Sequence, residues 1–243
     1  METVVAPSSG RTDEIGQCLD EVRAAVRRCQ QQGAAPAARL VAVSKFKPAA
    51  DILAAYEAGQ RHFGENYVQE LCDKAAVLPA DIKWHFIGRL QSNKCKALAA
   101  IPNLWAVETV ESVEKARLLD SAWRAAGRPL PLGVFLQVNT SGEANKGGVP
   151  VGEAAAAARA ITDSCAGLCL RGLMTIGSAD GSQQRPNPDF VALVRLRDEL
   201  QRATGAELEL SMGMSGDFEH ALELGATSVR VGSSIFGARA TTR

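Results

Sequence analysis

The chain has 243 residues, 46% of them hydrophobic, enough to bury a sizeable core in one large α/β domain or two small ones. Its 27 Lys and Arg balance 27 Asp and Glu, so no global field draws it to nucleic acid or an anionic membrane, and a small-molecule partner is expected. No apolar run approaches the roughly 18 residues of a membrane span. The six cysteines form no C-x-x-C pair, which suits the reduced thiols of a cytoplasmic protein without a metal site.

In chain order, residues 1–11 read as a disordered tail with neither a secretory nor a transit signature, and 12–243 as a single domain. Ile15, Leu19, Val22, Val26 and Cys29 recur at helical spacing, which predicts a helix over 12–32 capped by Thr12, with Asp13 and Glu14 in its first turn and Gly33 at its end. A regular alternation follows. Strands are expected over 40–45, 61–65, 82–87, 104–110, 132–138, 170–176, 207–212 and 228–231. Helices are expected over 48–58, 67–78, 89–100, 112–126, 151–164, 187–204 and 217–224, with a short last one from Ser233. Gly59 and Gly127 are placed as helix stops, Asn187-Pro188 opens a helix as cap and first-turn proline, and 177–185 reads as a loose loop.

Eight strands alternating with helices require parallel pairing and right-handed crossovers. The fold class is therefore α/β: a single (β/α)8 TIM barrel with an extra N-terminal helix. An open doubly wound sheet is the runner-up, but Ser44-Lys45-Phe46-Lys47 after the first strand carries no glycine fingerprint.

In such a barrel the chemistry belongs to the C-terminal ends of the strands. The residues there are Lys45, Asn66, His85, Gly88, Asn139 and Met174, then Ser211-Met212-Gly213-Met214-Ser215-Gly216-Asp217 and Gly232-Ser233-Ser234. The last two loops combine small residues, hydroxyls and a helix start, which suits a phosphate monoester. A strand-end lysine facing such loops implies an aldehyde-bearing phosphate ester, and pyridoxal 5′-phosphate answers that description. Arg230 alternates with Val229 and Val231, so it can point into the barrel mouth; as a pure donor it would keep a pyridine nitrogen unprotonated. A structural arginine paired with Glu65 or Asp217 is the competing reading.

These stretches resemble the pyridoxal phosphate homeostasis protein family, or proline synthase co-transcribed homologues, relatives of the barrel domain of alanine racemase. The blocks that carry the resemblance are Val41-Ala42-Val43-Ser44-Lys45, Phe63-Gly64-Glu65-Asn66-Tyr67, Trp84-His85-Phe86-Ile87-Gly88, Gln137-Val138-Asn139, Gly172-Leu173-Met174-Thr175-Ile176-Gly177, Ser211-Met212-Gly213-Met214-Ser215 and Val229-Arg230-Val231-Gly232. It implies that Lys45 forms the Schiff base, that Asn66 lies near the cofactor, that Arg230 faces the ring nitrogen, and that Ser215, Gly232 and Ser233 hold the phosphate. His85, Met174, Ser211 and Met214 complete the expected cofactor site. Phe46 stands where relatives often carry a small or polar residue, a departure that would alter access to Lys45.

The chain offers two tyrosines, Tyr56 and Tyr67, and no evident second base for a carbanion chemistry. The expected function is a monomeric, cytoplasmic pyridoxal phosphate-binding protein that takes part in vitamin B6 and amino-acid homeostasis, with apoenzymes as recipients. A racemase using Tyr67 is the first alternative and a cofactor-free Schiff-base aldolase the second. Lys146, in the Asn145-Lys146-Gly147-Gly148 loop, is a candidate secondary acceptor of the aldehyde.

Overall fold

The computed structural model describes residues 7–31 and 37–238. After α1 (Ser9–Gln31), strand and helix alternate as β1 (Arg39–Val43), α2 (Ala49–Glu57), β2 (His62–Glu65), α3 (Val68–Val77), β3 (Lys83–Phe86), α4 (Cys95–Ala100), β4 (Leu104–Val110), α5 (Val113–Ala125), β5 (Leu132–Asn139) and α6 (Val151–Ser164). The second half continues with β6 (Leu168–Met174), the single turn α7 (Ala179–Ser182), α8 (Pro188–Thr204), β7 (Glu209–Ser211), α9 (Phe218–Glu223), β8 (Ser228–Val231) and the short α10 (Ser233–Phe236). The strands pair in chain order, all parallel, and β8 returns to β1 through Leu40↔Val229 and Val41↔Arg230. The sheet is a closed eight-stranded barrel, so the open-sheet alternative falls. A two-residue strand, Val149–Pro150, pairs with the end of β5 outside the barrel.

Most of the apolar mass lies between barrel and helices. Phe63, Trp84 and Phe86 are buried there with Ile15 and Leu19 of α1 and Ile52 of α2, and each such side chain contributes about 1.5–3 kcal/mol by leaving water. A separate, smaller cluster of Ala106, Phe135 and Met174, with Trp105 against it, fills the barrel interior. The rest of the interior is polar, and that layer carries the site.

Local signals set most boundaries. Asn187 accepts from the Asp189 and Phe190 amides ahead of Pro188, Ser112 accepts from the Lys115 amide, and Gly59, Gly127 and Gly205 sit at positive φ just past their helices. Four expectations are corrected. Helix α1 begins at Ser9, so residues 9–11 are not tail: the Ser8 carbonyl accepts from the Arg11 and Thr12 amides, and Arg11 Nη2 is held by Asp51 at 2.6 Å and by the Phe236 carbonyl at 2.8 Å. Thr12 is thus inside the helix, and the expected stop at Gly33 lies outside the described residues. Residues 89–91 are not helical; Gln91 is extended and a 3-10 turn at Ser92–Lys94 leads into α4. Strand β6 lies two residues earlier than the apolar run implied, because Leu168 and Cys169 pair with Leu132 and Gly133 of β5. Within the expected loop, Ser178 caps the turn α7 by accepting from the Gly181 amide.

Candidate functional site

At the mouth of the barrel a cleft of about 350 Å³ is lined by Val43, Lys45 and Lys47 beyond β1, Ile87 beyond β3, Met214, Ser215 and Gly216 beyond β7, and Arg230, Gly232, Ser233 and Gly237 at the end of β8. Six of the ten sequence-predicted residues converge there: Lys45, Met214, Ser215, Arg230, Gly232 and Ser233. A roomier hollow of about 800 Å³ opens on the outside between α6 and α8, where none of the predicted residues lies.

Lys45 sits in a tight turn. The Ser44 amide still follows the barrel by donating to the Gly64 carbonyl at 3.0 Å, and the Ser44 carbonyl then accepts from the Lys47 amide at 3.0 Å. Between them Phe46 takes φ 63°, the only non-glycine residue at positive φ among the described residues, a conformation that costs about 1–2 kcal/mol. The result is an aromatic ring 55% exposed beside Lys45, 5.1 Å from the ring of Tyr67.

The opposite wall is two loops whose side chains accept from their own backbone amides. Gly213, at φ 92°, has no room for a side chain, since a Cβ would fall 2.6 Å from the Ala221 Cβ. The Asp217 carboxylate accepts from the Met214 amide at 2.7 Å, and Ser215 Oγ accepts from the Gly232 amide at 3.2 Å, which stitches the β7 and β8 loops together. A Cβ on Gly232 would come within 3.1 Å of the Val43 carbonyl, so a side chain there would push this loop a few tenths of an ångström off β1. Hydroxyls, glycine backbone and Lys47 beside them make a donor-rich cradle of the kind a phosphate takes.

Arg230 forms the floor. Its guanidinium is buried and donates through Nη1 to Ser211 Oγ at 2.6 Å and through Nη2 to the Thr175 carbonyl at 2.8 Å. Ser211 donates in turn to Glu108 Oε2 at 2.5 Å, and Glu108 Oε1 accepts from His85 Nδ1 at 2.5 Å. Burial lowers the His85 pKa, so the ring is neutral; burial works to raise Glu108, but His85, Arg230 and Ser211 outweigh it and hold the carboxylate below its usual range. With its Nδ1 proton given to Glu108, His85 Nε2 must accept from His62 Nδ1, 2.8 Å away. A continuous polar chain therefore runs down the barrel interior from Arg230 to His62.

Four of the predicted residues lie outside the cleft lining. His85 and Ser211 lie beneath the cleft, as parts of the support for Arg230 and not as its lining, and Met174 packs in the interior cluster. Asn66 lies outside the cleft lining too; its backbone packs on Gly88, where a Cβ would sit 1.8 Å from the Asn66 carbonyl, and its buried Oδ1 has no hydrogen-bond partner. Lys146 Nζ donates to the Gly177 carbonyl at 3.3 Å, away from the cleft lining. Two carboxylates act on Arg230: Glu108, linked to it through Ser211, and Asp217, one of the two partners the sequence offered, while Glu65 is held by Lys74 and Ser44 instead. Sequence reasoning missed Glu108, although an acid inside the apolar run Leu104-Trp105-Ala106-Val107-Glu108 is itself the signal of a buried partner.

The alanine racemase N-terminal domain family matches residues 18–240. The pyridoxal phosphate homeostasis protein of Schizosaccharomyces pombe is 50% identical over 94% of this chain and 94% of its own, and that of Homo sapiens is 49% identical over 90% and 83%. This chain belongs to the pyridoxal phosphate homeostasis protein family. Among solved structures, PipY of Synechococcus elongatus, determined with PLP bound, is 35% identical with a TM-score of 0.74 over 92% of this chain and 100% of that one. Alanine racemase of Corynebacterium glutamicum, 14% identical, shares the fold with a TM-score of 0.72 over 93% of this chain and 62% of its own. Among the described residues no helix is long and apolar enough to cross a membrane.

Proposed function

We propose that this chain binds pyridoxal 5′-phosphate covalently at Lys45, holds it and hands it to apoenzymes, and so contributes to vitamin B6 and amino-acid homeostasis without robust catalysis of its own. The observation that carries the reading is the convergence of Lys45, Arg230 and the stitched Ser215/Gly232/Ser233 loops on one cleft. When bound, the cofactor supplies an aldehyde carbon that condenses with a primary amine, with loss of one water. Lys45 is the amine, Ser215, Gly232 and Ser233 would hold the phosphate, and Arg230 would meet the ring nitrogen with donors alone, which disfavours its protonation and weakens the ring as an electron sink. The family names and the PLP-bound relative support the same cofactor. The protein is proposed to work as a cytoplasmic monomer; the six thiols, all unpaired, suit a reducing compartment.

The test is spectroscopic. Purified protein given pyridoxal phosphate is expected to show an imine absorbance band that borohydride fixes on Lys45 and that Lys45→Ala abolishes. Amino acids incubated with it in deuterated water are expected to keep their α-hydrogen. Exchange at a useful turnover would overturn the carrier reading in favour of a racemase, with Tyr67 beside the mouth as the residue to replace first.

A further inference from the structure

Behind the Lys45 turn lies a buried cation outside the cleft. Lys74 of α3 is 7% exposed, and its ammonium donates to the Ser44 carbonyl at 2.9 Å, to Glu65 Oε1 at 2.6 Å and to Glu70 Oε1 at 2.7 Å, which uses all three protons. Glu70 Oε1 also accepts from the Phe46 amide at 2.7 Å, and Ser44 Oγ donates to Glu65 Oε1 at 2.6 Å. The two neighbours of Lys45 are thus tied to one ammonium, Ser44 through its carbonyl and Phe46 by way of Glu70. Burying an ammonium is unfavourable unless every donor is answered, and a helix lysine has solvent as an easy alternative. Here two of its three contacts brace the one turn whose non-glycine residue stands at φ 63°.

We propose that Lys74 is the positioning residue for Lys45: it holds the left-handed turn that presents Lys45 to the cleft. The proposal rests on the reading of Lys45 as the cofactor lysine, and the link between them is the bracketed backbone, since Ser44 and Phe46 flank Lys45 where it enters the cleft wall.

The experiment compares wild type, Lys74→Met, Lys74→Met with Phe46→Gly, and Glu70→Ala. Glycine takes positive φ without steric cost, so it supplies the turn that the ammonium no longer enforces. In cofactor-free protein, amide hydrogen exchange across residues 44–47 is expected to rise at least tenfold in Lys74→Met. The rate at which added pyridoxal phosphate becomes borohydride-fixed on Lys45 is expected to fall by a similar factor, and Phe46→Gly is expected to restore most of that rate. Glu70→Ala, at a half-buried position, should move both readings the same way by less, and it serves if Lys74→Met does not fold. Wild-type exchange and attachment in Lys74→Met or Glu70→Ala overturns the proposal. So does a loss of attachment that Phe46→Gly leaves unrestored in a folded variant. Wild-type protein that takes no label on Lys45 overturns the cofactor reading instead, while the exchange measurement still decides whether Lys74 holds the turn.

Discussion

Glu65 is fully enclosed, and burial pushes its carboxyl up to about 7 against the pull of Lys74 and Ser44. The sign of the consequence follows from linkage: a carboxyl whose folded pKa exceeds its unfolded one favours the folded state while protonated. Its contribution is complete below about pH 4.5 and is lost as the pH rises through 7. Glu65→Gln, neutral throughout, should gain on the wild type by about 3 kcal/mol across that interval, read from urea melts at several pH values. A difference that stays flat with pH would mean that Lys74 keeps the carboxylate charged throughout. His62, lowered to about 3, and His85 run the other way: their contributions are complete above about pH 6.5 and fade as the pH falls. Both cancel in the comparison. At this scale the two basic residues of the cleft lining, Lys45 and Arg230, were legible, because a lysine at the end of an apolar run and an arginine alternating with valines announce themselves. Lys74 was not, and Glu65 was read only as a possible partner of Arg230, because burial alone separates both from the solvated charges they resemble in a string of letters.

At the scale of elements, Glu108 is the tie. From β4 it reaches His85 on β3 and Ser211 on β7, and through Ser211 it answers Arg230 on β8, so one carboxylate joins four of the eight strands. Replacing it with leucine leaves the buried guanidinium with Asp217 as its remaining counter-charge and takes away the acceptor of Ser211 and His85, at a cost of about 3 kcal/mol. Urea denaturation of Glu108→Leu should show that loss, and a cost below about 1 kcal/mol would mean that Asp217, Ser211 and the Thr175 carbonyl suffice for Arg230. The alternation of elements was readable because caps and stops are local: Asn187, Ser112, Gly59 and Gly127 each act within one turn of chain. The misplacements share a cause. The apolar run from Leu168 to Ile176 does not say which of its residues pair, and β5 chose the earlier register. Likewise a place near the C-terminal end of a strand did not say how deep along the barrel His85 and Ser211 lie, and depth decides between lining the cleft and supporting its floor.

The whole molecule is a ring closed twice, first by the β8–β1 pairing and again by α1 lying across the seam. Helix α1 packs on α2 of the first unit and on α9 and α10 of the last, and Arg11 bridges the two through Asp51 and the Phe236 carbonyl. The cleft draws on both sides of that seam, with Lys45 after β1 and Gly232 and Ser233 after β8, so the outer clamp and the inner pairing hold the same two loops in place.

Because Arg11 touches Phe236, the beginning and the end of the described fold are neighbours, and the order in which the ribbon is threaded becomes negotiable. A circularly permuted version, joined across that seam by a short glycine-serine tether and opened between Ala206 and Glu207 on the exposed far rim, should regain the parental circular dichroism spectrum and its colour with pyridoxal phosphate. A permutant that folds yet stays colourless would show that the cleft needs free ends at the seam.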